Sequence, residues 1–192
     1  TNTFSNYIEV DGYPTANFNI MPNNVSFFDP TVQLTDFSTG NIETYSWSIP
    51  NGTPSSASTA NVTTTFPIDQ VGLYPVTLIV IDENGCPDTV VREVNVISDI
   101  IFYAPNTFTP DGDEFNQTWN IVLAGVDLYS VDLFIFNRWG EVIWESHDAS
   151  VGWDGTYDGK VVPVGTYTWT LAVKEVYTDK KYQFNGHITL LR

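Results

Sequence analysis

The feature that most constrains this chain is an alternation of apolar and polar residues with a period of two. Residues 166–173 place Tyr167, Trp169, Leu171 and Val173 on one face and Thr or Ala on the other. Successive side chains of a β-strand point to opposite faces of a sheet, so this segment is predicted to be a strand with one buried and one wet face. No window of the sequence shows a sustained stripe with the 3.6-residue period of a helix. The chain is therefore predicted to be all-β.

Turn-forming residues divide the chain into many short strands. Pro, Gly and Asn recur about every 8–12 residues between apolar runs, which is typical of antiparallel β-sandwiches. Asn84-Gly85 is a hairpin signal, because a type I′ turn needs positive φ at both central positions. In the first half the predicted strands are 16–20, 25–27, 31–36, 44–49, 61–66, 72–81 and 88–96. In the second half they are 101–103, 119–123, 129–136, 141–145, 166–173 and 182–190, with a short one near 160–162.

The length of 192 residues allows one domain or two. The strand pattern is interrupted at Ser98 and Asp99, so we predict two β-sandwich domains, 13–98 and 99–192. Residues 1–12 are polar and without clear periodicity, and are predicted to be a linker or the end of a preceding module. Because the sequence has no initiating Met and no signal peptide, we expect a C-terminal piece of a longer protein whose export signal lies upstream.

The charge balance excludes several classes of partner. The formal net charge is −16, from 23 acidic and 7 basic residues. Such a surface is repelled by phosphate and by anionic lipid headgroups, so binding to nucleic acid is not expected. No apolar run approaches the roughly 18 residues that a membrane-spanning helix needs, so direct membrane insertion is not expected either. The single cysteine, Cys86, excludes an internal disulfide.

Oxygen-bearing residues surround a glycine in the segment 111–117 (DGDEFNQ). Loops that wrap a calcium ion present carboxylate, carbonyl and amide oxygens at alternate positions. The candidate ligands are the side chains of Asp111 and Asp113, the carbonyl of Phe115, and the amide of Asn116 or Gln117. A Pro-Asp-Gly turn also forms without an ion, so a structural calcium and an ion-free turn are both open.

Catalytic patterns are sparse. His147 and His187 are far apart in sequence, and Cys86 lies in a predicted turn without a nearby base. There is no Gly-x-Ser-x-Gly nucleophile elbow and no His-Glu-x-x-His motif. The chain is therefore not expected to be an enzyme, and no catalytic residue is predicted.

Five motifs follow one another in the second half: FTPDGD at 108–113, IFNRWG at 135–140, GWDG at 152–155, VGTY at 164–167 and GHITLLR at 186–192. On these motifs the chain resembles the gliding-motility-associated C-terminal domain, the type B sorting domain of the type IX secretion system. The family-signature residues that this resemblance implies, as candidates for partner recognition, are Phe108, Thr109, Pro110, Gly112, Asn137, Arg138, Trp139, Gly140, Gly152, Trp153, Asp154, Gly155, Gly165, Tyr167, Gly186 and Arg192.

Two of these motifs have competing interpretations. Trp153 and Asp154 could form a sugar platform with a carboxylate, or Trp153 could pack inward while Asp154 caps the turn amides. Arg138 could be presented to a receptor, or it could stack on an aromatic ring or pair with Asp154 and so hold two loops together. At 111–117 the chain departs from the family, because Glu114 replaces a Gly and Gln117 an acid. Fewer carboxylates predict weaker calcium binding.

The first half resembles the polycystic-kidney-disease-type (PKD) domain, an immunoglobulin-like module. The likeness is carried by PTA at 14–16, LTD at 34–36 with Ser38 and Gly40, YSW at 45–47, FP at 66–67, GLYPVTL at 72–78 and ENGC at 83–86. The fold predicted for the whole chain is two tandem immunoglobulin-like antiparallel β-sandwiches with essentially no helix.

The resemblance of the second half to the type B sorting domain implies a non-catalytic secretion signal. Residues 100–192 would send a large upstream cargo, such as an adhesin, a gliding protein or a secreted enzyme, through the type IX translocon. Recognition would be by an outer-membrane β-barrel of the PorP/SprF family, and the PKD-like domain would be a spacer. The protein would cross the periplasm and outer membrane to the cell surface or the medium. The alternatives are a carbohydrate-binding module, suggested by six tryptophans on a β-sandwich, and a structural adhesin module.

Overall fold

The computed structural model describes residues 12–192. The predicted linker at 1–12 therefore lies outside the described residues, except for Gly12. The chain divides into two compact units between Ile97 and Ser98, and each unit has its own buried core. Both are built from strands, and the prediction of an all-β, immunoglobulin-like fold is confirmed.

The described part of the first unit contains eight strands in two sheets. They are β1 (Phe18–Met21), β2 (Asn24–Ser26), β3 (Thr31–Asp36), β4 (Ile42–Ser48), β5 (Ser56–Ala57), β6 (Asn61–Thr65), β7 (Gly72–Asp82) and β8 (Pro87–Ile97). One sheet has the order β1-β3-β6 and the other β2-β8-β7-β4-β5. The pairs are antiparallel except for β2 with β8, which is parallel.

The core of the first unit lies between these sheets. Trp47 of β4 is buried and meets Phe18 of β1 edge-on, with ring centroids 5.0 Å apart. Its indole Nε1 donates to the carbonyl oxygen of Thr59 at 2.8 Å, so the polar atom of this buried side chain is satisfied. Val76 and Leu78 of β7 are fully buried beside them. Burying each such side chain contributes roughly 1.5–3 kcal/mol.

The second unit contains nine further strands and one short 3₁₀ turn, Leu128–Ser130. The strands are β9 (Ile101–Tyr103), β10 (Thr107–Phe108), β11 (Val122–Ala124), β12 (Asp132–Phe136), β13 (Val142–Ser146), β14 (Thr156–Tyr157), β15 (Lys160–Val161), β16 (Gly165–Lys174) and β17 (Lys181–Leu190). The main sheet has the order β10-β17-β16-β12-β13, and β9 with β11 and β14 with β15 form two small sheets. Within the main sheet only β10 and β17 are parallel.

The period-two alternation of residues 166–173 sets the buried face of the main sheet. Tyr167, Trp169, Leu171 and Val173 of β16 are all buried, as the period-two pattern predicts. β16 pairs with β17 over ten residues without a register shift. This pairing fixes the positions of both strand ends. It thereby also fixes the loops next to them, which carry the family motifs.

The hairpin predicted at Asn84-Gly85 forms, but its type I′ geometry is wrong. The turn runs from Asp82 to Gly85, whose N–H donates to the Asp82 carbonyl oxygen at 3.0 Å. Gly85 has a φ of +80°, whereas Asn84 is not among the described residues with positive φ. The Asp82 carboxylate accepts from the N–H groups of Asn84 (3.0 Å) and Cys86 (2.8 Å), and these bonds stabilise the wider turn.

Two predicted strands of the second unit are shorter in the structure. The segment 129–136 begins as a strand only at Asp132, because the Asp127 carboxylate accepts from the Tyr129 N–H at 3.0 Å and starts a 3₁₀ turn. The segment 119–123 is a strand only from Val122. Trp119 instead exchanges two backbone hydrogen bonds with Trp153, at 2.8 and 3.0 Å.

Candidate functional site

Trp153 lies at the centre of the family-signature residues and is completely buried. Its ring packs between Phe108 and Tyr167, with centroid distances of 5.4 and 5.1 Å. Its Nε1 donates to the Thr156 carbonyl oxygen at 2.9 Å. A side chain with no exposed face cannot stack on a sugar, so this geometry favours the packing interpretation of Trp153.

The next two residues shape the turn after Trp153. The Asp154 carboxylate accepts from both the backbone N–H (2.9 Å) and the hydroxyl (2.7 Å) of Thr156. Gly155 follows with a φ of +79°, where a Cβ would lie 2.8 Å from a Leu190 methyl carbon. A side chain at this position would meet both backbone strain and a steric clash. Asp154 therefore caps the turn, and Gly155 allows β17 to approach it.

Arg192 joins three of the signature loops. Its guanidinium donates to the carbonyl oxygens of Val162 (2.8 Å), Gly155 (3.3 Å) and Pro110 (3.4 Å). The FTPDGD loop, the GWDG turn and the segment before β16 are thus held by one side chain. The planar guanidinium has several fixed donors and can serve three carbonyls at once, which the single ammonium of a lysine does less well.

The NRWG turn between β12 and β13 is fixed by its first residue. The Asn137 side-chain oxygen accepts from the N–H groups of Trp139 (3.0 Å) and Glu141 (3.1 Å). The Asn137 amide donates to one Glu141 oxygen at 2.8 Å, and the Tyr157 hydroxyl donates to the other at 3.2 Å. The hydrogen bond to Glu141, followed by its negative charge, raises the pKa of Tyr157. This network ties the turn to β14.

Arg138 and Trp139 project from this turn into solvent. Trp139 is 81% exposed, and the Arg138 guanidinium lies 5.5 Å from its ring centroid. The ion pairs between described residues join His147 to Asp132 and Lys174 to Asp179, so the predicted pairing of Arg138 with Asp154 is not formed. Stacking on an aromatic ring, the other contact predicted for Arg138, is the one that the structure has.

A cavity of about 170 Å³ opens beside this pair. Its walls include Arg138, Trp139, Tyr157, Pro163 and Tyr167. The Tyr167 hydroxyl donates to the Pro163 carbonyl oxygen at 2.6 Å, and burial raises the pKa of Tyr167 although the charges of two arginines oppose the shift. We call the exposed Arg138 and Trp139 side chains, together with this cavity, the Arg–Trp surface.

The remaining signature residues do not all join this surface. Gly186 lies in the middle of β17 opposite Trp169, and a Cβ there would be 2.5 Å from the indole Cζ2 atom. Thr109 and Pro110 belong to the loop next to Arg192, and the Thr109 N–H donates to the Asn116 carbonyl oxygen at 3.2 Å. The sequence motifs therefore combine packing residues with exposed ones.

The candidate calcium loop has an unexpected centre. The side-chain nitrogen of Gln117 lies within hydrogen-bonding distance of four oxygens: the carbonyls of Thr109 (3.3 Å) and Phe115 (2.7 Å) and the carboxylates of Asp111 (3.2 Å) and Asp113 (3.0 Å). The Gln117 side-chain oxygen accepts from the Gly112 N–H at 2.9 Å. An amide donor thus occupies the point on which the predicted oxygen ligands converge.

This arrangement restricts how a cation could bind. The N–H of Asp113 and the Gln117 amide lower the pKa of Asp111, so this carboxylate is charged at neutral pH. In residues 12–192 no group of three or more His, Cys, Asp or Glu side chains is placed to hold a metal ion. A cation at these two carboxylates and two carbonyls would have to displace the Gln117 amide nitrogen, or the amide would have to turn so that its oxygen faces the ion.

Two roles were missed by sequence reasoning. Arg192 was counted only as a motif residue, and Gln117 only as a ligand. The signal for Arg192 is slight: it is one of three arginines in an acidic chain. Nothing local in the sequence indicates that its guanidinium reaches carbonyls 30, 37 and 82 residues away.

Both halves of the chain match known domain families. Residues 14–97 match the PKD domain, and residues 102–190 match the CHU_C type IX secretion signal domain. The chain is a PKD domain followed by a type IX secretion signal domain. Proteins that carry such a signal are exported to the cell surface or secreted, and both kinds of domain are typically non-catalytic.

Solved structures show weaker similarity. The PKD1 domain of Vibrio anguillarum Epp is 22% identical over 47% of this chain and 100% of its own, with a TM-score of 0.39. The PKD1 domain of the Vibrio cholerae metalloprotease PrtV is 26% identical over 44% and 96%, with a TM-score of 0.37. No curated protein matches the chain. Among residues 12–192 no helix has the length and apolar character to cross a membrane.

Proposed function

We propose that the secretion signal domain directs its cargo by docking the Arg–Trp surface onto an outer-membrane β-barrel of the PorP/SprF family. The observation that carries this proposal is the contrast among the six tryptophans. Trp47, Trp119, Trp153 and Trp169 are buried and Trp144 is half-buried, whereas Trp139 is 81% exposed. Hot spots of protein interfaces are enriched in Trp, Tyr and Arg.

The rigidity of the turn supports the same role. Asn137 fixes the backbone at Trp139 and Glu141, so little backbone conformational entropy is lost when a partner covers the exposed side chains. The Arg138 guanidinium can also fork onto a partner carboxylate while it remains stacked on Trp139. Four buried tryptophans, in contrast, do not support a stacked sugar platform.

The test is an export assay in cells that possess the type IX system. The whole chain, behind an N-terminal export signal, is fused to an inert fluorescent reporter. Trp139→Ala and Arg138→Ala are compared with Tyr129→Ala, which removes a fully exposed aromatic side chain from the 3₁₀ turn. A hot-spot loss of about 2 kcal/mol corresponds to about 30-fold weaker binding, so we expect surface fluorescence to fall strongly for the first two variants only.

Two outcomes contradict the proposal. If all three variants are exported equally, the Arg–Trp surface is not the docking site. If the unmodified fusion is exported equally in a strain without the barrel partner, the partner is not required. Deleting residues 99–192 should abolish export in either case.

We also propose that the PKD domain is a spacer between cargo and signal, where the cargo is an adhesin, a gliding protein or a secreted enzyme. The PKD domain has its own buried core, which does not share residues with the core of the secretion signal domain. Replacing it with an unrelated β-sandwich should leave reporter export unchanged. Loss of export with a folded replacement would show that the PKD domain takes part in recognition.

A further inference from the structure

The outer side of β17 is an open sheet edge. On one side β17 pairs with β16 along its whole length, from Lys181 to Leu190. On the other side only Thr189 and Leu190 pair, with the two residues of β10. Within residues 12–192 no strand lies against this side of β17 between Lys181 and Ile188. The outer side of β17 is therefore unpaired over about seven residues, 181–187.

The outward groups can be identified from the bonds at the paired end. The Thr189 N–H donates to the Asn106 carbonyl oxygen at 2.8 Å, on the outer side of β17. Because alternate residues of a strand direct their backbone groups to the same side, Gln183, Asn185 and His187 also point outward. Their side chains are exposed, and no backbone hydrogen bond to another described residue satisfies these N–H and C=O groups.

Beyond the charged Lys181 at its start, this edge lacks the features that usually prevent strand addition. Proteins protect sheet edges with proline, charged side chains, bulges or very short strands. From Tyr182 to Leu190 the sequence has no Pro, Asp, Glu, Lys or Arg, and the pairing with β16 has no register shift. The opposite edge strand, β13, has only five residues, a register shift in its pairing and the charged Glu145. The unprotected edge is thus confined to one side of the sheet.

The side chains that border the edge define the segment that would fit. Tyr182 and Phe184 lie on the core-facing side, where Phe184 stacks on Phe102 at 4.3 Å. Gln183, Asn185 and His187 lie on the opposite, exposed face. An added strand would place its apolar residues beside the aromatic side and its polar residues beside the exposed one. A second copy of the chain is disfavoured because each copy carries a net charge of −16.

We propose that the edge of β17 from Lys181 to His187 binds an extended segment of a partner protein by strand addition. The segment is about seven residues long, alternates apolar with polar residues, and is uncharged. Backbone hydrogen bonds provide affinity in this mode, and the alternating side chains provide specificity. The edge lies across the sheet from the β12–β13 turn, so this inference does not depend on the Arg–Trp surface.

The first test uses the unmodified chain and a synthetic probe. The probe is a capped seven-residue peptide in which Thr and Val alternate, and the control has the same composition except for a central Pro. Amide hydrogen exchange is measured by NMR at millimolar peptide. We expect at least tenfold slower exchange at Gln183, Asn185 and His187 with the probe and no change with the control. Unchanged exchange at all three amides, or slow exchange without peptide together with a dimeric mass, overturns the proposal.

The second test blocks the edge. Asn185→Pro removes an outward N–H without removing a bond to β16, whereas Asn185→Thr keeps the N–H and suits a strand. We expect at least tenfold weaker probe binding for the proline variant and unchanged binding for the threonine variant. Equal binding by a folded proline variant overturns the proposal. If melting shows that this variant does not fold, the exchange result on the unmodified chain decides.

Discussion

Gly186→Ala should destabilise the secretion signal domain through a single contact. Gly186 pairs directly with Trp169 across β16 and β17. A Cβ on Gly186 would lie 2.5 Å from Cζ2, 2.8 Å from Cε2 and 3.2 Å from Nε1 of that indole. Optimal carbon–carbon contact is about 3.5–4.0 Å, so the ring would have to move by about 1 Å. It is 6% exposed and packs against Trp119 and Phe102, which leaves little room.

The loss of stability in Gly186→Ala is the difference between two opposing contributions to the free energy of unfolding. Overpacking a closed core costs about 1–3 kcal/mol. Replacing Gly with Ala restricts the unfolded chain and returns about 0.4–1 kcal/mol, because Gly186 is not among the described residues with positive φ. The two ranges bound the net loss at about 0–2.6 kcal/mol, and the closed surroundings of the indole, which is 6% exposed, favour about 1–2 kcal/mol. For a domain of this size that lowers the melting temperature by about 4–16 °C.

The assay is thermal or urea unfolding followed by tryptophan fluorescence, with Asn185→Ala on the exposed face of β17 as the control. A double-mutant cycle with Trp169→Phe isolates the contact, because phenylalanine lacks the indole atoms that the new methyl group would meet. In the Trp169→Phe background only the unfolded-chain effect remains, so Gly186→Ala should be neutral or stabilising by up to about 1 kcal/mol. An equal cost in both backgrounds, or an unchanged melting temperature in the single variant, would refute this explanation of Gly186.

Three further predictions concern the signature loops and the PKD domain. Arg192→Ala should lower the stability of the secretion signal domain by about 1–3 kcal/mol in urea unfolding, because three hydrogen bonds to carbonyl oxygens are lost, and Arg192→Lys should recover only part of this loss. Equal stability of Arg192→Ala and the unmodified chain would contradict a stabilising role for these three bonds. Calcium should raise the melting temperature of the unmodified chain slightly. The rise should be larger in Gln117→Asp and absent in Asp113→Asn when melting curves in calcium and in a chelator are compared. No shift of the melting temperature in Gln117→Asp would exclude a calcium site here. Asp88 accepts from the Ala16 N–H at 2.7 Å, which lowers its pKa below the ordinary value of 3.8. The ionised Asp88 carboxylate therefore stabilises the fold fully above pH 3.8, and this stabilisation is lost as pH falls through the lowered pKa. In urea unfolding between pH 2 and 6, the free energy of unfolding of Asp88→Asn should depend less on pH than that of the unmodified chain.

Much of the fold could be predicted because the strands have a clear period. Burial of Tyr167, Trp169, Leu171 and Val173 follows from alternation alone. Strand ends were less predictable where a side chain competes with the sheet for a backbone group. Asp127 captures the Tyr129 N–H and converts the start of a predicted strand into a 3₁₀ turn. Such local hydrogen bonds are invisible to a period analysis.

The candidate site was only partly predictable from sequence. The motifs identified the residues, but they could not separate the exposed Trp139 from the buried Trp153, since both follow turn signals. The long-range contacts were also out of reach. Arg192 and Pro110 are 82 residues apart, and they meet only because β17 runs beside β10. Placement of that kind is set by sheet order, which no local pattern encodes.

The position of β17 in the sheet also matters while the polypeptide is being made. β17 is the final strand in chain order, yet it lies between β10 and β16 and contributes the buried Ile188 and Leu190. A nascent chain that stops before residue 181 leaves β10 without its neighbour and one edge of β16 unpaired. Ribosomes that stall or terminate early would therefore release products whose secretion signal domain cannot close. Folding of this domain therefore requires translation up to residue 190, and prematurely terminated products lack a folded secretion signal domain.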